Sequence, residues 1–371
     1  MIKTWTLPAR LLAIAAMVAG QGLCVGFGPP RLAARDVDHE ALWPQQVQQL
    51  CSMTPPVLEP AAALLLDVAT GTVVYSRNAD AQLAPASTTK MMTALVALDL
   101  GRLDDEVTIL PSDLSVDSVL GLRPGEVWTL EDLLYALMLA SDNASAVVIA
   151  RHAGGSEAAF VEQMNARAAA WGMTGTHFAN PHGYDDPNHY STAHDLAVLA
   201  RRAMDNATFK QLVGTRERIV GARVITNLNQ LLGTYEGAEG IKTGTTDGAG
   251  QCLVSSVARR DGHALCVVLG SADRYRDTRL LLDYYFGSYV EVPLGLGASG
   301  LARVRRADGQ WASLVPEQTP VAFLPRWQLP WLRVLRVVAP KPAAGDSAAG
   351  LARYTLGTAT VAEVPLQLGQ P

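Results

Sequence analysis

A serine and a lysine three residues apart in segment 85–90 could supply a nucleophile and its base. Pro85 indicates that a helix begins there. Residues three apart on a helix share one face, so the side chains of Ser87 and Lys90 are expected to lie together. A serine hydroxyl is a poor nucleophile until a base takes its proton, and a lysine can be that base only if burial or a nearby cation lowers its pKa. Alone, the spacing is equally typical of a capping serine and a solvated lysine.

A second polar segment, Ser141-Asp142-Asn143, lies where one predicted helix ends and the next begins. A hydroxyl at this position could relay a proton to a leaving amine, and an amide could hold a substrate carbonyl. All three residue types are also ordinary helix caps. The tripeptide alone therefore favours a structural role.

A third segment, Lys242-Thr243-Gly244-Thr245, lies on a predicted strand. A glycine within a strand often marks the close approach of another backbone or a ligand. The lysine and the two threonines are suited to binding a carboxylate. The alternative is an edge-strand lysine among residues that favour β-structure.

The elements that must position these segments are an early strand pair, a long helical middle and late strands closed by a helix. This order predicts one sheet covered by helices. Helix starts are expected at Pro85, Thr129, Ser156 and Ser191-Thr192. The predicted strands are 61–67, 72–76, 240–245, 251–257 and 264–269, and the closing helix is 278–286.

Beyond about residue 290 the chain becomes rich in proline, and short β-like runs at 301–305, 332–338 and 360–365 alternate with turns. We expect a small β-rich domain at 290–371. No amphipathic helix is evident near Pro371, so the pattern indicates no C-terminal membrane anchor.

The first residues resemble an export signal. Lys3 and Arg10 precede a short apolar run at 11–25, which predicts a signal peptide at 1–34 and a linker at 35–60. Export places the protein in the periplasm or on the outer face of the cytoplasmic membrane. An uncleaved membrane anchor is the alternative.

The overall composition is that of a folded globular protein. The 371 residues are 49% hydrophobic and 18% charged, with a formal net charge of −5. No charge run indicates a nucleic-acid partner. Without the signal, the odd number of cysteines (Cys51, Cys252 and Cys266) argues against a disulfide framework. The predicted hairpin places Cys266 opposite residue 256 or 257, too far from Cys252 for a bridge.

The three segments in this order resemble the motif set of penicillin-binding proteins and serine β-lactamases. Residues 61–289 are most similar to the low-molecular-mass penicillin-binding proteins, the D-alanyl-D-alanine carboxypeptidases. The resemblance implies an α/β (α+β) fold, a β-lactamase/transpeptidase-like antiparallel sheet flanked by helices, with a smaller C-terminal β domain. It extends to segments Asp67 with 70–71, 85–93, 122–125, 178–183, 190–193 and 240–250.

The same resemblance implies the roles of individual residues. The substrate would be a peptidoglycan stem peptide ending in D-Ala-D-Ala, β-lactams would be covalent inhibitors, and no metal or organic cofactor would be needed. The backbone N–H groups of Ser87 and Thr245 would form the oxyanion hole. The implied catalytic residues are Ser87, Lys90 and Ser141, and the implied substrate-binding residues are Asn143, Lys242, Thr243, Gly244 and Thr245.

One departure from the family pattern and one open assignment accompany this resemblance. Thr245 stands where the family often has an aromatic residue or histidine, which bears on substrate preference and deacylation. Arg279 lies near the position of a family arginine at the carboxylate pocket, although a solvated helix arginine fits equally well.

A serine β-lactamase is the nearest alternative, but class A members need a deacylating glutamate after the second motif, and residues 163–216 contain none. A catalytically silent scaffold is the other, which the intact motif residues argue against. The spacing of His177, His182 and His194 matches no familiar zinc site, so we expect loop and surface roles for them.

Overall fold

The computed structural model describes residues 53–296, 303–338 and 349–369. The predicted signal at 1–34, most of the predicted linker at 35–60 and Cys51 lie outside these residues. The described elements all fall within one compact unit, Pro55–Pro371. None of the helices in these ranges combines the length and apolar character that a membrane crossing requires.

The helices and strands of the described residues follow the predicted order. The α-helices are α1 (Lys90–Leu100), α2 (Leu130–Leu139), α3 (Asn143–Gly154), α4 (Glu157–Ala170), α5 (Ala193–Met204), α6 (Ala207–Gly214) and α7 (Arg274–Ser288). The strands are β1 (Ala62–Asp67), β2 (Val73–Arg77), β3 (Glu106–Thr108), β4 (Val127–Thr129), β5 (Glu217–Val220), β6 (Arg223–Thr226), β7 (Ala238–Thr246), β8 (Gly250–Arg259), β9 (Gly262–Ser271), β10 (Tyr289–Pro293), β11 (Arg303–Arg305), β12 (Trp311–Pro316), β13 (Val321–Pro325), β14 (Leu332–Val338), β15 (Gly350–Leu356) and β16 (Ala359–Leu368).

Five antiparallel strands form the central sheet, in the order β2-β1-β9-β8-β7. Every residue of β1 is buried, because helices cover both faces of the sheet. Leu64 and Leu66 pack into a core with α1 to α6. Leu65 points the other way and packs with Leu281 and Leu282 of α7, as the alternation of a strand requires. The predicted antiparallel sheet flanked by helices is therefore confirmed.

Side-chain caps explain where several helices begin. Thr129 Oγ1 accepts a hydrogen bond of 3.1 Å from the Asp132 N–H, and Ser156 Oγ accepts one of 3.2 Å from the Ala159 N–H. Both predicted helix starts are thus confirmed. Helix α6 was not predicted, although Asn206 caps it by the same mechanism. Its eight residues give too short an apolar pattern to stand out.

The β8–β9 hairpin turns one residue earlier than predicted. Arg259 pairs with Gly262, so the turn residues are 260 and 261, and Ser255 lies opposite Cys266. The prediction of residue 256 or 257 was wrong because it included Gly262 in the turn. Cys252 and Cys266 are both buried and free, as expected for small apolar core residues.

The C-terminal β domain has its own sheets and its own core. Five strands pair in the order β11-β12-β16-β15-β14, and β10 pairs with β13. Leu314, Tyr354, Val364 and Leu366 are among the buried residues that pack together there, apart from the two cores of the central sheet. The predicted β-rich C-terminal domain is confirmed.

An aromatic joint connects the C-terminal sheets to the end of α7. The Phe323 ring stacks on Tyr285 and on Tyr289, with centroid distances of 5.3 and 5.1 Å. The Arg326 guanidinium forms an ion pair with Asp261 in the turn between β8 and β9. Ring stacking and an ion pair therefore cross the same joint.

Candidate active site

Ser87 and Lys90 lie together, as their spacing predicts. Ser87 is in a 3-10 turn, Ala86–Thr89, that leads directly into α1. Lys90 Nζ is 2.9 Å from Ser87 Oγ. Ala86 has a φ of +49°, a left-handed conformation that costs free energy in a residue other than glycine. Such outliers concentrate at functional sites, and this one adjoins the candidate nucleophile.

The surroundings of Lys90 favour its neutral form. The side chain is fully buried, and burial together with the charge of Lys242 holds its pKa well below the usual value. Lys90 Nζ also lies 2.6 Å from Asn143 Oδ1 and 2.6 Å from the His182 carbonyl oxygen. Both oxygens only accept, so they take the two N–H groups of a neutral amine. The remaining lone pair then faces Ser87, which is the geometry of a base.

The residues of the second motif have different roles, one structural and one in contact with Lys90. Asp142 is buried and caps α3, accepting from the Ser145 N–H at 2.8 Å. It also accepts from Ser118 Oγ at 2.8 Å and from the Leu120 N–H at 3.2 Å. The middle residue of the motif is therefore a helix cap that also fixes the loop before it. Ser141 lies in the break between α2 and α3 with a φ of +59°.

Asn143 is the residue of the second motif that contacts Lys90. Its Oδ1 faces the amine, and its Nδ2 donates to Asp117 Oδ1 at 3.0 Å and to the Tyr184 hydroxyl at 3.1 Å. The lysine contact and these two acceptors together set the orientation of the amide. Neither Asp117 nor Tyr184 was predicted, because only the folded chain brings these loop residues to α3.

Strand β7 brings the third motif against the turn that carries Ser87. A Cβ on Gly244 would lie 2.9 Å from the Ser87 nitrogen and 2.9 Å from Ala86 Cβ. Only glycine permits this approach, which confirms the predicted close contact at this strand glycine. Lys242 is buried, and its Nζ donates to the Thr243 carbonyl oxygen at 3.1 Å.

Lys242 supplies positive charge that depends on pH near neutrality. Burial, together with the charge of Arg274, lowers the pKa of the Lys242 ammonium to about 7. The cation is therefore favoured below about pH 7 and lost above it. An anionic group that lies against this lysine would be held more strongly in the acidic part of that range.

The arginine beside the third motif is Arg274, the first residue of α7. Its guanidinium donates to the Gly244 carbonyl oxygen at 2.6 Å and to Thr245 Oγ1 at 2.7 Å. Arg279 instead donates to Thr234 Oγ1 at 2.7 Å, which favours the alternative of an ordinary helix arginine over a place at the carboxylate pocket. Arg274 was not predicted, because the sequence pattern began the closing helix at residue 278, whereas α7 begins at Arg274.

Two buried histidines line the segment that covers Lys90. His182 contributes its carbonyl oxygen to the lysine, and His189 Nδ1 accepts from the Ala179 N–H at 3.0 Å. Nε2 of His189 therefore carries the hydrogen and donates to Thr89 Oγ1 at 2.7 Å. The expectation of a surface role was wrong for His182, which is buried. In the described residues, no group of three or more His, Cys, Asp or Glu side chains is placed to bind a metal.

The buried histidines predict acid sensitivity. Burial lowers the pKa of His182 to about 3 and of His189 to about 4. Between pH 6.5 and about 4 the unfolded chain binds protons that the native state does not, so the free energy of unfolding should fall as the pH falls. A His189→Gln variant, whose side chain does not titrate, should show a shallower fall. Urea denaturation at several pH values measures both slopes, and parallel curves for the two proteins would contradict the assignment to His189.

Comparison with known proteins places this geometry in a family. A family model described as D-alanyl-D-alanine carboxypeptidase matches residues 49–273, which include all three motifs. D-alanyl-D-alanine carboxypeptidase DacF of Bacillus subtilis is 33% identical over 266 residues, 68% of each chain. The Mycobacterium tuberculosis enzyme DacB2, of the same description, is 35% identical over 246 residues, 62% of this chain and 84% of its own. Penicillin binding protein 6B of Escherichia coli superposes with a TM-score of 0.69 at 26% identity, covering 84% of this chain and 96% of its own. The chain therefore belongs to the D-alanyl-D-alanine carboxypeptidase family.

Proposed function

We propose that this protein is a serine-type D-alanyl-D-alanine carboxypeptidase that removes the terminal D-alanine from peptidoglycan stem peptides. The observation that carries the proposal is the position of the buried Lys90 amine, 2.9 Å from Ser87 Oγ. The two other atoms that contact this amine, Asn143 Oδ1 and the His182 carbonyl oxygen, can only accept hydrogen bonds. Family membership supplies the substrate class, and this contact supplies a base for the nucleophile.

In the proposed reaction, Ser87 Oγ attacks the carbonyl carbon between the two D-alanines while its proton passes to Lys90. The backbone N–H groups of Ser87 and Thr245 stabilise the negative oxygen of the tetrahedral intermediate. The C–N bond then breaks, and the departing D-alanine amine receives a proton through Ser141. Water hydrolyses the acyl-enzyme ester and restores Ser87.

The substrate's terminal carboxylate would lie against β7, beside Ser87. Lys242, Thr243 and Thr245 are its proposed ligands, and Gly244 lets β7 approach the nucleophile. The contact of Arg274 with Thr245 supports this placement, since the guanidinium adds a second cation beside the threonine. Asn143 would hold the substrate backbone on the opposite side of Ser87.

The segment that follows the second motif argues against a β-lactamase. In class A enzymes a glutamate after the second motif activates the deacylating water. In this chain, the group that the same segment places against Lys90 is the backbone carbonyl oxygen of His182. We therefore propose β-lactams as slowly released covalent inhibitors. We also propose a catalytic domain at 61–289, a C-terminal β domain at 290–371, and export to the periplasm or to the outer face of the cytoplasmic membrane by the N-terminal signal, with attachment to that membrane if the signal stays uncleaved.

Penicillin labelling tests the proposal directly. Mass spectrometry of the wild type after incubation with penicillin should show one added drug mass on the peptide that contains Ser87, with slow loss over time. Ser87→Ala should remain unlabelled, because among the described residues the hydroxyl that contacts Lys90 Nζ is that of Ser87. Ser76→Ala, on β2 of the same sheet, is the matched control and should label normally. A folded wild type that takes no label would favour a silent scaffold, and rapid penicillin turnover would favour a β-lactamase.

A further inference from the structure

Residues 180–185 form a segment that contacts both the first motif and the turn that follows the third. Within it, the His182 carbonyl oxygen accepts a hydrogen bond from Lys90. The last residue of the segment, Asp185, is exposed and binds the turn between β7 and β8. The proposed mechanism gives this carboxylate no role. The segment nevertheless links the proposed base of the reaction to the end of strand β7.

Both oxygens of the Asp185 carboxylate accept hydrogen bonds from the β7–β8 turn. Thr246 Oγ1 donates to Oδ1 at 2.6 Å, and the Gly248 N–H donates to Oδ2 at 2.9 Å. The Thr246 hydroxyl also accepts from the Ala249 N–H at 3.0 Å, which fixes its direction. A Cβ on Gly248 would lie 3.0 Å from Asp185 Cγ, so the backbone of the turn approaches the carboxylate closely. Because hydrogen bonds to a charged acceptor are stronger than neutral ones, this pair ties the turn to segment 180–185.

The segment that carries Asp185 has its own support. The Asn180 side chain accepts from the Gly183 N–H at 2.7 Å. Gly183 packs so closely on the Ala86 carbonyl oxygen that an added Cβ would collide with it. Asp185 therefore extends from a segment that is packed against the turn carrying the nucleophile.

Strand β7 depends on such a support because it lies at the edge of the central sheet. It pairs with β8 on one side, and none of the described strands pairs with it on the other. The Thr245 N–H, which is proposed for the oxyanion hole, is on this strand and directly precedes Thr246. The separation of this N–H from that of Ser87 therefore varies with the position of the end of β7. A misplacement of about 1 Å can cost about 10²-fold in rate.

From these contacts we propose that Asp185 is a positioning residue for the oxyanion hole. By binding Thr246 and Gly248, it holds the end of β7 so that the Thr245 N–H and the Ser87 N–H can bind the same oxygen. The inference rests on the proposed function, because it gives the carboxylate a part in the same acyl transfer. The carboxylate acts through the backbone of the turn and not by contact with the reacting atoms.

Replacing Asp185 with alanine tests the proposal. The rate constant for acylation of Ser87 at saturating penicillin should fall about ten- to hundredfold. This is less than the loss of about 10²- to 10³-fold that deletion of an oxyanion donor causes, because the N–H is displaced and not removed. Hydrolysis of the acyl-enzyme should slow by a similar factor, since it passes through an oxyanion at the same place. Stopped-flow labelling with fluorescent penicillin measures the first rate, and mass spectrometry over time measures the second.

Asp247→Ala is the matched control, because it removes an exposed carboxylate from the same turn. Both rates of this variant should match those of the wild type. Asp185→Asn keeps one acceptor oxygen and should restore part of the rate that Asp185→Ala loses.

Two further measurements separate positioning of β7 from a general loss of structure. The midpoint of the pH dependence of acylation should stay at its wild-type value, because the contacts of Lys90 are unchanged. Thr246→Val removes one of the two hydrogen bonds to Asp185 and should slow acylation by a smaller factor. In the Thr246→Val background, Asp185→Ala should lose part of its effect, since the two residues act through one contact.

Each outcome decides the question. A fall in both rate constants, with an unchanged pH midpoint and non-additive effects in the double variant, supports the proposal. Wild-type rates in Asp185→Ala, a loss confined to the binding of penicillin before acylation, a displaced midpoint or additive effects would overturn it. If circular dichroism shows that Asp185→Ala does not fold, Asp185→Asn is judged by the same criteria. In all these cases Ser87 of the wild type still takes the label, whereas a folded wild type that neither labels nor cleaves the peptide overturns the proposed function as well.

Discussion

Replacing Lys90 with methionine should slow the acylation of Ser87 by penicillin by about 10²- to 10⁴-fold, the usual contribution of a general base. Methionine fills a similar volume without an amine, so the Ser87 hydroxyl would have no group to take its proton. Stopped-flow or gel labelling with fluorescent penicillin measures the rate constant. Lys210→Met is the control, because that lysine is half-exposed and pairs with Glu239, and its acylation rate should match the wild type.

The stability of Lys90→Met separates loss of the base from loss of the fold. The substitution removes a buried amine whose desolvation is unfavourable, but it leaves Asn143 Oδ1 and the His182 carbonyl without their donor. We expect these effects to offset each other to within about 2 kcal/mol. A folded variant that acylates at the wild-type rate would show that some other group takes the proton.

Replacing Gly183 with alanine should lower the free energy of unfolding by about 3 kcal/mol and weaken penicillin labelling. Gly183 has a φ of +92°, and a Cβ there would lie 2.1 Å from the Ala86 carbonyl oxygen. Two backbone segments must separate to admit the methyl group. One of them leads into Ser87, and the other contains the His182 carbonyl that accepts from Lys90.

Gly172→Ala is the matched control for this prediction. Gly172 also has a positive φ, +72°, but an added Cβ would meet nothing within 4 Å. Its substitution should cost only the backbone strain, about 1 kcal/mol, and leave labelling intact. Urea denaturation gives both free energies. Equal losses for the two variants would show that close contact with Ala86 contributes nothing.

Local patterns predicted the strands of the central sheet, most of the helices and the three motifs, because those signals lie within a few residues of each other. Pro85 begins the turn that carries Ser87, Thr129 caps its helix, and Gly244 marks a close backbone contact. In each case the cause is a cap, a spacing or a missing side chain, which can be recognised without the fold.

The supporting residues of the site could not be predicted in the same way. Asp117, Tyr184 and His189 reach the motifs from loops 26, 41 and 100 residues away in sequence, and no spacing rule links residues so far apart. Arg274 lies before residue 278, where the predicted closing helix began, so no pattern linked it to the third motif. The left-handed backbone of Ala86 and Ser141 had no signal either, since neither residue type favours it.

The aromatic joint between α7 and the C-terminal sheets has a mechanical consequence. Rotation of one part against the other would separate the Phe323 ring from Tyr285 and open the ion pair between Arg326 and Asp261 at the same time. A torque applied to the C-terminal domain would therefore pass to α7 and to the turn between β8 and β9, and from there to the central sheet that carries the third motif.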